Sequence, residues 1–243
     1  MAASPTQTRS VTIMESIPVQ AYAKTAGALL LISFLAGGFG EAYAPAKIIA
    51  GSDAAATMQN LRNHEWLLRI GFSGYLVEAS CDIALVMLFY ALLKPVDRYI
   101  SLLAAMFGLM GTALFAAAEI FFFAPTMLSG GAGYLKAFPP DQLNAVALLS
   151  LRVFGLAAGI FMTFYGTGWI LRGWLIWRSG YLPRFLGVLM TITGAAFVAR
   201  NFQVVLAPAT SAIWFPVMIA PGMLIFTAWL LIKGVDEKKW LES

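Results

Sequence analysis

Long apolar runs separated by short polar stretches make up most of this chain, and six of them reach the roughly 20 residues that a helix needs to cross a bilayer. They cover residues 25–41, 66–93, 99–124, 139–177, 182–206 and 213–232. Pro95 and Pro125 are placed to stop the second and third runs, and Pro183 suits the first turn of the fifth. Pro216 and Pro221 either delay or kink the sixth. Between the first two runs, Ser52 or Asp53 can cap a short helix over AAATMQNLR. Gly155 and Gly159 form a GxxxG, a pattern that permits close helix contact. The expected fold is an all-α membrane bundle of six transmembrane helices over residues 24–235. A disordered polar tail (residues 1–23) precedes it and a short tail (residues 236–243) follows.

Composition agrees with lipid as the main solvent: 60% of the 243 residues are hydrophobic and only 12% charged, against about 25% charged in soluble domains. The formal charge of +4 would suit nucleic acid, but the basic residues gather at the ends of the apolar runs, where they set topology. The expected partners are therefore membrane lipids and a small-molecule or lipid ligand, with no nucleic acid. Lys24, Lys94, Arg98, Arg178, Arg184, Lys238 and Lys239 all fall on one side of the predicted spans, and Arg172 is counted with them. The excess puts both termini in the cytoplasm. The single cysteine, Cys81, lies in an apolar run and cannot form an intramolecular disulfide.

Charges inside the spans are the candidate chemistry, because a charge in hydrocarbon costs roughly 3 kcal/mol or more unless it is paired or hydrated. Glu41, Glu65, Arg69, Glu119, Arg152 and Arg200 all fall in the half of the membrane opposite the basic turns. Three carboxylates and three guanidiniums can balance there, either as a packing network or as a polar pocket open to the outside. Glu65 and Arg69 stand one helical turn apart and can pair directly. On the second span, His64, Gly71, Tyr75, Glu78 and Asp82 share one arc, roughly opposite Glu65 and Arg69. Glu78 and Asp82 are four residues apart near the bilayer middle. Their repulsion requires that at least one be protonated, cation-bound or hydrogen-bonded. With one histidine in the chain, no zinc or bis-histidine haem site is expected, and no cofactor is.

The stretches DIALVMLFYALLKPVDRYISLLAAMFGLM and GWLIWRSGYLPRFLGVLMTITGAAFV, with GSDAAATMQNLRNHEWLLRIG and the closing AWLLIKGV, resemble a family of bacterial membrane proteins catalogued as domain of unknown function 4386. The resemblance spans about residues 25–235 and implies a helical bundle of the bacterial cytoplasmic (inner) membrane. It implies no activity and no catalytic residues. Three functions fit the residues. A small polar solute, ion or lipid headgroup could bind or cross at Arg69, Arg152 and Arg200, coupled to protons or cations by Glu78 and Asp82. Glu78 and Asp82 could instead be the acid and base of an intramembrane enzyme acting on a lipid or isoprenoid. The chain could also be a non-catalytic scaffold.

Overall fold

The computed structural model describes residues 18–207, 209–210 and 213–243. The expected tail falls mostly outside these residues, but its last part, from Val19, already belongs to the first helix. Helix α1 (Val19–Gly37) runs through a wider π turn (Gly38–Tyr43) into α2 (Ala44–Ile48), one continuous rod. Pro45 follows the π turn and has no N–H to return to a carbonyl four residues back, so the backbone hydrogen bonding must change register here. The helix therefore continues to Ile48, past residue 41, where the first apolar run ends.

Asp53 caps α3 (Ala54–Asn63), accepting from the Ala56 N–H at 2.9 Å. Then come α4 (Glu65–Leu93), α5 (Arg98–Ser129), α6 (Pro140–Ser179), α7 (Arg184–Leu206), α8 (Trp214–Ile232) and the short α9 (Glu237–Leu241). No strand occurs among the described residues. Among the described residues, six helical segments are long and apolar enough to cross a membrane, the first being the continuous rod Val19–Ile48.

Pro125 does not stop the third span. It sits inside α5, where it leaves the carbonyl of Phe121 without its usual donor. The Ser150 hydroxyl of α6 donates to that carbonyl at 2.8 Å, so the freed group is satisfied by a neighbouring helix, as buried backbone in lipid demands.

The spanning helices pack in chain order, α1 against α4, α4 against α5, α5 against α6, α6 against α7 and α7 against α8, and α8 closes the ring on α1. Short connections between antiparallel helices produce this up-and-down arrangement. Both described ends of the chain lie at one face of the bundle. Gln20 bridges them, donating to the Lys233 carbonyl at 2.9 Å and accepting from the Val235 N–H at 3.0 Å. The Leu92 carbonyl, near the end of α4, accepts from the Tyr181 hydroxyl and from Trp240 Nε1. At the opposite face, α3 packs on the start of α6, a helix of 40 residues and thus about 60 Å long, twice the hydrocarbon core.

The closest approaches in the α6–α7 seam are at glycines beyond the GxxxG. A Cβ on Gly173 would stand 2.7 Å from the Gly187 carbonyl, and one on Gly166 would stand 2.6 Å from that of Gly194. Of the GxxxG pair, a Cβ on Gly155 would meet nothing, whereas one on Gly159 would run into the Asn201 side chain of α7. Two apolar cores result. One, near the chain ends, contains Leu30, Phe89, Trp169, Met190 and Phe226; the other contains Met58, Leu68, Tyr75, Phe122 and Leu151. Leu102, Met106, Leu149, Ile160 and Val217 face outward around the bundle, as lipid-facing side chains do.

Candidate functional site

The polar residues fall between the two cores. On α4 the second core contributes Leu68 and Tyr75 and the first contributes Leu85 and Phe89; Glu78 and Asp82 lie between them in sequence. The period of the helix turns Gly71, Tyr75, Glu78 and Asp82 to the inside, the shared arc expected from the sequence. Glu119 comes from α5, and Glu41 from the π turn that continues α1. Glu78 is within electrostatic reach of Glu41, Asp82 and Glu119, and Glu119 is within reach of Glu41.

Burial is deep. Glu119 is 3% exposed, Asp82 4% and Glu78 9%. Neither oxygen of Glu119, nor Oε2 of Glu78, nor the Tyr75 hydroxyl has a hydrogen-bond partner among the described residues. Gly37 leaves the space that the Glu78 carboxylate fills, since a Cβ there would stand 2.7 Å from both its oxygens. Edge-on contacts from Phe115 and Phe122 hold the Tyr75 ring.

Asp82 is better served. The Ser33 hydroxyl of α1 donates to its Oδ1 at 3.2 Å, and Arg172 of α6 attracts it. Arg172 was expected at the basic, water-facing end of its helix. Instead it is 4% exposed, with its guanidinium over Trp169 at 5.1 Å and over Phe89 at 5.6 Å. Gly108 admits it, because a Cβ there would stand 2.6 Å from Nη2. Asp82 and Arg172 make no direct ion pair. They are walls of one cavity of about 10 Å³ that Thr112 and Tyr165 also line, about the space one water needs.

The expected balance of three carboxylates by three arginines does not form. Arg69 pairs with Glu65 at 2.7 Å, and both are substantially exposed. Arg152 is exposed and donates to the Gly51 carbonyl at 2.6 Å, tying down the turn before α3. Arg200 is half-buried on α7. His64 is half-buried at the α3–α4 junction, its Nδ1 3.1 Å from the Asn60 carbonyl. The physical reason is rotational. These residues share a depth with Glu41 and Glu119, but Arg69 and Arg152 lie on outward helix faces. Among the described residues, the layer thus gathers three buried carboxylates and the half-buried Glu41 against one buried guanidinium, Arg172. Among the described residues, no group of three or more His, Cys, Asp or Glu side chains is placed to hold a metal ion.

This multi-pass helical chain is similar to an uncharacterised protein of Archaeoglobus fulgidus, 24% identical over 63% of this chain and 76% of that protein. That relative is archaeal, so the bacterial setting expected from the sequence is not established. No solved structure matches significantly. A family profile described as domain of unknown function (DUF4386) matches residues 25–234, nearly the whole chain, and the chain belongs to that family.

Proposed function

We propose that this DUF4386 member is a proton-handling membrane protein. Proton uptake and release at Glu41, Glu78, Asp82 and Glu119 drive the binding or transport of a small neutral or cationic solute. One observation carries this reading: among the described residues, the buried carboxylates Glu78, Asp82 and Glu119, with the half-buried Glu41 beside them, lie between two apolar cores and are opposed by one buried guanidinium. So much uncompensated charge is untenable in a low-dielectric interior, and protons are the counter-charge at hand. The dispersed Arg69, Arg152 and Arg200 argue against an anionic solute. The small cavity beside Asp82 suits a proton or water path better than an isoprenoid substrate. The basic residues at the face holding both chain ends support a cytoplasmic orientation for that face and a cytoplasmic-membrane location.

Proteoliposomes loaded with a pH-sensitive dye test the proposal. An imposed pH gradient should collapse faster with the wild-type protein than with empty vesicles, faster still with the right solute outside, and no faster with Glu78→Gln or Glu119→Gln than with empty vesicles. Folded variants that dissipate the gradient as the wild type does would refute the role of the layer.

A further inference from the structure

Helices α6 and α7 meet so closely at Gly173 and Gly187 that the side chains flanking the seam stand apart and leave a groove open to the lipid. Ile170, Trp174 and Trp177 of α6, spaced four and three residues apart, form one wall, and Val188 and Ile192 of α7 form the other. The groove has a volume of about 310 Å³ and is almost wholly apolar. Trp177 also lines a second hollow, of about 300 Å³, shared with Arg178, Gly180 and Arg184. An apolar slot therefore leads into a basic one at the end of the helices, with Trp177 common to both.

The two arginines are placed to receive an anion. Both are exposed, and neither is in an ion pair among the described residues. Arg178 rests its guanidinium 4.9 Å from the centre of the Trp174 ring, so part of its conformational freedom is already spent before anything binds. Gly180 ends α6 with a φ of 73°, a left-handed conformation that favours glycine, and so turns the chain back sharply toward Arg184. Planar guanidiniums match phosphate oxygens in pairs, and basic pockets between membrane helices at such a level recognise lipid headgroups.

We infer that the α6–α7 cleft is a binding site for an anionic phospholipid, its phosphate held by Arg178 and Arg184 and an acyl chain lying in the Trp174–Trp177 groove. The site is separate from the carboxylate layer, and it stands whether or not that layer moves protons. Native mass spectrometry of the delipidated protein tests it, with phosphatidylglycerol and phosphatidylcholine of identical chains added in equal amounts. The wild type should retain phosphatidylglycerol preferentially. The preference should fall about fivefold for each arginine replaced in Arg178→Gln and Arg184→Gln, while Lys94→Gln with Arg98→Gln, at the same face, should leave it unchanged. Trp177→Ala should lower retention of both lipids. An equal loss from the Lys94 and Arg98 pair would reduce the effect to general surface charge and overturn the site, as would a preference that survives the double Arg178 and Arg184 replacement.

Discussion

Arg172 and Asp82 form the most testable pair of residues in the molecule, because both are buried and they attract each other across one small cavity. Arg172→Met should cost about 3 kcal/mol, the usual penalty for orphaning a buried charge. Asp82→Asn in the same chain should restore much of that loss, a coupling that thermal unfolding of the four proteins in detergent would measure. Additive losses would mean that the two do not interact across their shared cavity. Arg172 was hard to read in the sequence because it lies seven residues from the end of α6 among residues that mark topology. It is inside because Gly108 of α5 leaves room for its guanidinium and the aromatic faces of Trp169 and Phe89 shelter it. Its one-turn spacing from Trp169 was the available clue. Glu78, Asp82 and Tyr75 were legible, since a single helical period places them on one face. The Arg69–Glu65 pair was legible from its one-turn spacing, but the bond from Arg152 to the Gly51 carbonyl was not, because a sequence states how far along a helix a residue lies and leaves open how neighbouring helices are rotated.

At the scale of elements, glycine spacing separates contact from coincidence. Gly155→Ala should be neutral or slightly stabilising, because its Cβ meets nothing and alanine is the better helix former by about 1 kcal/mol. Gly173→Ala should destabilise by roughly 1–3 kcal/mol, because the seam there is backbone against backbone. Equal melting temperatures for the two variants would remove the seam from the account. The GxxxG motif caught one contact glycine, Gly159, which faces Asn201 of α7, and one idle one, Gly155; the glycines that meet backbone to backbone are paired across two helices and lie further along α6. Helix ends show the same limit: Pro125 reads as a stop, and only the Ser150 hydroxyl on another helix explains why α5 continues. The small helix α9 is held by its cap. The Lys239 N–H, bonded to the Asp236 carboxylate at 3.3 Å, keeps that carboxyl below its ordinary value of 3.8. The cap is therefore complete above the ordinary aspartate range and weakens as pH falls through the lowered value. Trp240 fluorescence should report loosening of α9 only in acid, and Asp236→Asn should make it largely independent of pH over that range.

For the whole molecule, the number of spans and the shared face of both chain ends were legible, because each apolar run is long and each turn is short. Closure of α8 onto α1 was not, since no local pattern encodes a contact between the first and last spans. The packing of α1 and α5 on α4 matters more for the site, because it brings Glu41 and Glu119 to the helix that holds Glu78 and Asp82, so that charges from three parts of the chain become one chemical unit. Whether that unit exchanges protons is the central claim, and infrared difference spectroscopy of the membrane-reconstituted protein tests it most directly. Stepping the pH should produce a protonated-carboxyl band change in the wild type that loses separate components in Glu78→Gln and Glu119→Gln, both folded by their melting curves. A spectrum with no carboxyl change, or one that both variants reproduce in full, would contradict it and leave the layer as packing alone.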